Sequence, residues 1–456
     1  MLVTTYITNY NYGDFIKKAV DSVLNQTFQN FELIIIDDGS TDHSKEVIES
    51  YRNHPKVSIV YQHNKGLNVT NNIAIRAAQG KYIMRLDADD YLSANALEIL
   101  SEKLEENDEL GLVFPDYFLV DKDDRIISEE IRHDFDGAVK LLDQPAHGAC
   151  TMIRLEFLKE VGGYNEAYNC QDGYELWVKF IHRYKVSNVN MPLFYYRQHG
   201  KNLTSNENRI LDTRAQINAN YIKDRKFNTK SLVVIPIRGG KNDLAYEILG
   251  SENLLMRKIN QAMSAENVVQ TVVSSPDPGI KKLIDNHLLE EHRVVFHLRG
   301  KEEAEIDKPL APTVQKILEM PEIAKLLFDC ICILTVEFPF LKPHKIDDAI
   351  NTMVLFGSDS LISVRPDNSM FYQHHGDGMH AILNRDKYTK LEREALFKQY
   401  GGITACTLPA FRNTNTIISG IIGHMVIDQE SSLGIFTDFD RKLATIIYEQ
   451  KIISQA

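Results

Sequence analysis

Between residues 32 and 42 the chain reads Glu-Leu-Ile-Ile-Ile-Asp-Asp-Gly-Ser-Thr-Asp. Phe31–Ile36 is a near-continuous apolar strand, and such a run belongs inside a sheet buried on both faces. It ends in Asp37-Asp38-Gly39, after which Ser40 or Thr41 is placed to cap a helix. The same alternation extends in both directions. Upstream, Leu2–Thr8 is a strand, and Ile16, Ala19, Val20, Val23 and Leu24 fall on one helical face. Downstream come a strand at Val57–Tyr61, a helix at Asn68–Ala78 and a strand at Lys81–Leu86. That last strand runs into Asp87-Ala88-Asp89-Asp90, and Ser93 caps a further helix through Glu106. Strands joined by helices predict a largely parallel α/β sheet. Ligands bind such sheets beyond the carboxyl ends of the strands, where both acidic clusters lie.

With 456 residues the chain is too long for one compact core, so two or three domains are expected. The alternation lapses in the polar stretch Lys223–Lys230 and restarts at Leu232–Pro236, which is followed by Arg238-Gly239-Gly240. Further strands are expected at Val268–Val273, Val294–His297, Ile331–Val336 and Ser360–Val364. A net charge of −12 with no basic run speaks against nucleic acid and anionic membrane surfaces as partners. No apolar run is long enough to cross a bilayer. The amino terminus reads as a strand and not as a targeting signal, so the expected location is cytoplasmic. Five cysteines without C-x-x-C spacing read as buried free thiols, Cys330 and Cys332 sharing one strand face.

Paired aspartates one residue apart past a strand end suit a hard divalent cation, which takes carboxylate and water ligands. Alone, Asp-x-Asp is a weak signal. It occurs here with Thr8-Asn9-Tyr10-Asn11, Leu24-Asn25-Gln26-Thr27-Phe28, Gly80-Lys81-Tyr82-Ile83, Val161-Gly162-Gly163-Tyr164 and Gln171-Asp172-Gly173-Tyr174-Glu175-Leu176-Trp177. In this order over roughly residues 1–205 the chain resembles the family 2 glycosyltransferases of GT-A fold. That resemblance implies an inverting, metal-dependent transfer from a nucleotide-sugar donor, a UDP-sugar being favoured. The acceptor would be a glycan, a lipid-linked species or a protein, in bacterial surface-glycan synthesis. It places Thr8, Tyr10, Asp38 and Asp87 at the nucleotide, with the Asp38 carboxylate on the base, and Asp37 either assisting there or only orienting the turn. Asp89, with Asp87 and His199, would face Mn²⁺ or Mg²⁺. Asp172 would be the general base, a role worth about 10²–10⁴ in rate. Asp90 is read as the cap of the following turn. His199 is either near the diphosphate or only packing, and Trp177 either stacks on the acceptor or belongs to the core. The arginine that the family carries to hold the pyrophosphate is replaced in Asn71-Asn72, and the Glu ahead of the base is Gln171.

From Leu232 onward the chain resembles the acylneuraminate cytidylyltransferases, through Val234-Ile235-Pro236-Ile237-Arg238-Gly239-Gly240, Asp347-Asp348-Ala349-Ile350 and Asp359-Ser360-Leu361-Ile362-Ser363-Val364. Arg238, Gly239 and Gly240 would then form a phosphate loop. The family's basic stretch after the glycines gains an acid, Asp243, and its substrate loop is replaced by Thr335-Val336-Glu337-Phe338-Pro339. Its metal-binding aspartates fall at Gly434 and Phe436, with Asp438 and Asp440 only nearby. These departures imply a degenerate domain for dimerisation, acceptor placement or ligand sensing, hence a homodimer through this domain. The expectation is two Rossmann-like α/β domains, a GT-A fold over 1–225 and a nucleotidyltransferase-like fold over 231–456. A bifunctional CMP-sugar synthetase and transferase, and a non-catalytic sugar-nucleotide scaffold, are the alternatives. The segment 372–380, rich in His and Gly, reads as a hairpin connection rather than a metal site.

Overall fold

The computed structural model describes residues 2–131, 148–168, 170–199, 207–225, 227–240, 243–288, 292–367, 369, 372–374, 379–381 and 396–455. The chain divides between Arg214 and Ala215 into two compact units. The first contains β1 (Val3–Asn9), α1 (Ile16–Leu24), β2 (Phe31–Asp37), α2 (Ser44–Glu49), β3 (Val57–Tyr61), α3 (Leu67–Ala77) and β4 (Tyr82–Asp87). It continues with β5 (Tyr91–Leu92), α4 (Ala96–Glu105), β6 (Leu110–Val120), β7 (Ile126–Glu130), β8 (Met152–Arg154), α5 (Leu155–Glu160), α6 (Asp172–Ile181) and β9 (Lys185–Arg197). α7 (Glu207–Asp224) carries the chain across the division, so the start of the polar stretch at Lys223 is helical.

The sheet runs β3-β2-β1-β4-β8-β6-β9-β5, with β7 on β6. β1, β2, β3 and β4 are mutually parallel, and the register sets Asn9 beside Asp37 and Thr8 beside Asp87. The expectation of a largely parallel sheet holds for these four strands and for β6 beside β9, while β5, β7 and β8 pair antiparallel with their neighbours. β8 is antiparallel to both β4 and β6. On α1 the residues Ile16, Ala19, Val20 and Val23 are all buried, as their spacing requires. Together with Ile7, Met84 and Leu86 they form one core, each large aliphatic side chain contributing roughly 1.5–3 kcal/mol. Side chains alternate along a strand, so the Met84–Leu86 face of β4 is apolar while Arg85 and Asp87 share the other face. Two expected caps are not used. Neither α2 nor α4 has a side-chain cap, and their flanking residues are His43 and Asn95 rather than Ser40 or Thr41 and Ser93.

The second unit comprises β10 (Ser231–Pro236), β11 (Ile248–Leu249), β12 (Glu252–Asn253), α8 (Leu254–Met263), β13 (Val268–Ser275), α9 (Pro278–His287), β14 (Val294–Leu298), α10 (Ala311–Leu318), α11 (Pro321–Ala324) and β15 (Cys330–Leu334). There follow α12 (His344–Leu355), β16 (Ser360–Asp367), β17 (Tyr372–His374), β18 (Met379–Ala381), β19 (Leu396–Thr407), α13 (Leu408–Thr414), β20 (Ile422–Val426) and α14 (Asp438–Gln455). Its sheet runs β14-β13-β10-β15-β19-β16-β20, and only β19 is antiparallel to its neighbours. Val233 and Ile235 enter a core on one face of β10, Leu232 and Val234 a core on the other. Cys330 and Cys332 are buried free thiols in the same core. β17 and β18 pair antiparallel as a hairpin, whose connection lies outside the described residues. Among the described residues no helix is long and apolar enough to cross a membrane.

Candidate active site

The carboxyl ends of β1, β2 and β4 lie side by side, and each carries polar residues. Asp37 is turned inward on its own loop: it accepts from Asn9 Nδ2 at 2.7 Å, Ser40 Oγ at 2.5 Å and Ser40 N at 3.2 Å. Gly39 is required in this turn, since at φ +82° an added Cβ would lie 2.7 Å from Asn64 N. Asp38 accepts from Lys65 N at 2.8 Å, Gly66 N at 2.9 Å and Gln62 Nε2 at 2.6 Å, holding the loop that leads into α3. A nucleobase contact by Asp38 therefore shares a carboxylate that already carries three protein donors. Tyr10 is 46% exposed, and the Thr8 hydroxyl donates to Asp87 at 3.3 Å.

The turn after β4 is gripped by the end of β9. Arg197 N donates to Asp90 Oδ1 at 2.9 Å, and its Nε donates to the Asp89 carbonyl at 2.8 Å. Asp90 is thus not the turn cap expected from sequence but the anchor that ties β9 to the acidic turn. Burial and then the neighbouring Asp89 push its carboxyl well above the ordinary range. Two residues beyond Arg197, His199 Nε2 lies 2.9 Å from Asp89 Oδ2. The imidazole stacks on Phe15 at 5.6 Å between ring centroids and meets Tyr12 edge-on. Burial, and next the charge of Asp87, raise Asp89, while His199 draws it down.

Asp172 is the first residue of α6, where the helix dipole favours a carboxylate. Gln171 before it is in the left-handed region at φ 61°, and its side chain accepts from Arg214 Nε at 2.6 Å. The Asp172 carboxylate is ion-paired with Arg85, whose side chain is 5% exposed. Arg85 Nε also lies 3.0 Å from Asp87 Oδ1. Burial opposes the guanidinium charge, but Asp172 and then Asp87 outweigh it and hold Arg85 firmly protonated. Tyr6 donates to Asn71 Oδ1 at 3.1 Å, and Asn71 is fully buried, so this position presents no charge to a diphosphate.

Sequence reading missed Arg85 and Arg197. The available signal for Arg85 was a charge in the middle of an otherwise apolar strand, two residues before Asp87. Trp177 is 1% exposed and meets Phe114 edge-on, so the core alternative is the one its position fits. Among the described residues no group of three or more His, Cys, Asp and Glu is gathered to hold a metal ion.

In the second unit the glycine loop follows β10. Gly239 N donates to Asp243 Oδ2 at 2.6 Å, and the Asp277 carboxylate is held below its usual range by Gly279 N, the Tyr246 hydroxyl and Gly240 N. Both loop amides therefore face carboxylates of the same unit. Arg238 is exposed, and the neighbouring Arg299 donates to the Ile237 carbonyl at 2.8 Å. Asp347, in the first turn of α12, accepts from Glu266 N and Asn267 N, and Asp359, just before β16, accepts from Ile421 N. Asp440 accepts from Phe436 N, Thr437 N and the Thr437 hydroxyl at the start of α14, while Asp438 pairs with Arg441.

The first unit is thus an α/β unit with acidic strand ends, a histidine against one of them and a half-buried carboxylate ion-paired with a buried arginine. Residues 4–162 match the family described as glycosyl transferase family 2, so this unit carries a glycosyltransferase domain. The chain is similar to the chondroitin synthase of Escherichia coli, at 30% identity over 202 residues, 44% of this chain and 29% of that protein. It is also similar to the chondroitin synthase of Pasteurella multocida, at 32% identity over 213 residues, 46% of this chain and 22% of that one. The chain therefore spans less than a third of the length of these relatives. Among solved structures, S. aureus TarS 1–349 is similar at 18% identity and a TM-score of 0.41, covering 49% of this chain and 66% of that one.

Proposed function

We propose that the chain is an inverting, metal-dependent glycosyltransferase. It moves a sugar from a nucleoside-diphosphate donor, with UDP-sugars favoured, to a hydroxyl of a glycan, lipid-linked or protein acceptor in bacterial surface-glycan synthesis. The observation that carries this reading is the meeting of Asp172 and Asp87 on one buried guanidinium, beside the Asp89–His199 pair. A carboxylate in the position of a general base then stands next to the carboxylates of the donor side.

Asp89 and His199 offer one carboxylate and one imidazole, with Asp87 adjacent. A hexacoordinate cation that keeps waters and takes substrate phosphates needs only one or two side chains, so this donor set fits Mn²⁺ or Mg²⁺. When bound, the cation supplies charge neutralisation for the departing diphosphate. The chain's own residues do the rest. Thr8, Tyr10 and Asp38 line the nucleotide side, Asp37 orients the turn behind them, and Arg197 with Asp90 fixes the acidic turn. Asp172 takes the acceptor proton as the hydroxyl oxygen attacks the anomeric carbon, and the bond to the diphosphate breaks on the opposite face. The proton ends on Asp172 and the nucleoside diphosphate leaves.

Residues 1–225 form the transferase domain in this reading, and residues 231–456 a degenerate cytidylyltransferase-like domain that serves for dimerisation or ligand binding. The loop amides of Gly239 and Gly240, turned to Asp243 and Asp277, support the loss of triphosphate binding there.

The test is transfer by the full chain from a panel of nucleotide sugars with Mn²⁺ to oligosaccharide acceptors, with the anomeric configuration of the product read by NMR. Inverted product is expected, with Asp172→Asn losing about 10²–10⁴ in rate while nucleotide binding persists. Retained configuration, or no transfer by the wild type from any donor, would overturn the reading.

A further inference from the structure

We propose that Arg85 is a positioning residue for this transfer, holding the Asp172 base and the donor-side Asp87 at a fixed separation within clearance provided by Gly148. The inference rests on the reading of Asp172 as the base. Arg85 sits in the interior of β4 on the same face as Asp87, and its side chain is 5% exposed. One end of the guanidinium meets Asp172 at the start of α6, through Nη1. The other meets Asp87, with Nε at 3.0 Å from Oδ1 and Nη2 at 3.4 Å from Oδ2. An arginine presents a rigid planar fork, so two carboxylates on one guanidinium are fixed in distance and in angle.

Gly148 closes the third side. A Cβ there would lie 2.5 Å from Arg85 Nη2 and 3.3 Å from Asp172 Oδ2. The tip of an arginine ordinarily yields to such a contact, but this one is pinned at both ends. A side chain at 148 is therefore expected to displace the guanidinium and disturb one of the two ion pairs. Gln171, held by Arg214, fixes the backbone at the start of the same helix, so what remains for Arg85 to set is the direction of the Asp172 carboxylate. Misplacing a reacting group by about 1 Å costs on the order of 10²-fold in rate.

The experiment uses the full chain in four variants: Arg85→Lys, Gly148→Ala, Asp172→Asn and the double variant Arg85→Lys/Asp172→Asn. It measures kcat, KM for the acceptor and Kd for UDP with Mn²⁺. Arg85→Lys keeps the charge but not the fork, and Gly148→Ala leaves both ionic groups in place. Each is expected to lose about 10²-fold in kcat with UDP affinity changed by no more than a few-fold. In the Asp172→Asn background the lysine is expected to cost only the smaller part that passes through Asp87, because a residue acting through the base has no effect by that route once the base is gone. Unchanged kcat in Gly148→Ala, or an equal loss from Arg85→Lys with and without Asp172, would overturn the inference while leaving the transferase reading intact. No transfer by the wild type would instead remove the reading on which it rests.

Discussion

In both units a strand at the middle of the sheet ends in a polar loop, yet carboxylates serve the two loops in opposite ways. After β4 the aspartates have side-chain or backbone partners of their own, two of them brought from far along the chain. Asp87 meets Arg85, Asp89 meets His199 and Asp90 meets the Arg197 amide. After β10 the acids bond the amides of the loop itself. Asp243 takes the Gly239 amide, and Asp277 faces Gly240. A backbone N–H bonded to a nearby carboxylate is not free for a phosphate, whereas a carboxylate beside an imidazole is an incomplete ligand set for a cation. In the proposed reading, the same residue type thus prepares one strand end for a ligand and closes the other.

The sharpest way to break this contrast is to look for nucleotidyl transfer. With CTP, Mg²⁺ and a sialic-acid-like sugar, the full chain is expected to release no pyrophosphate above the buffer rate. Release that persists in Asp89→Ala would place active chemistry in the second unit and end the comparison. A smaller effect concerns how that unit is held together. Lys258 is fully buried and donates to the Phe338 carbonyl at 2.8 Å. Burial pushes its ammonium down to about 7, against the pull of Glu337. Above that pH the folded chain has released a proton that the unfolded chain keeps until near the ordinary lysine value. Stability is therefore expected to rise between pH 7 and 9, by at most about 1.4 kcal/mol per pH unit. Lys258→Met should flatten this rise in thermal melts, and an unchanged slope would show that the amine does not titrate there.

What the sequence made legible was local. The spacing of Ile16, Ala19, Val20 and Val23 specifies the buried face of α1, and the run into Asp37 marks a strand end, because helix and strand periods are written in consecutive residues. The pairing of Asp172 with Arg85 joins residues 87 positions apart, and that of His199 with Asp89 joins residues 110 apart. Neither follows from any period. Asp243 was visible as an added acid, but its bond to Gly239 depends on the turn geometry between them. The antiparallel entry of β8 was hidden for the same reason, since a three-residue strand carries almost no pattern of its own.

The most direct test of the account is calorimetric titration of UDP into the full chain with and without Mn²⁺, for the wild type and Asp89→Ala. The account predicts binding that Mn²⁺ strengthens at least tenfold, about 1.4 kcal/mol, in the wild type and does not strengthen in the variant. Equal affinity in all four titrations would contradict the claim that the carboxylates after β4 gather a cation and a nucleoside diphosphate.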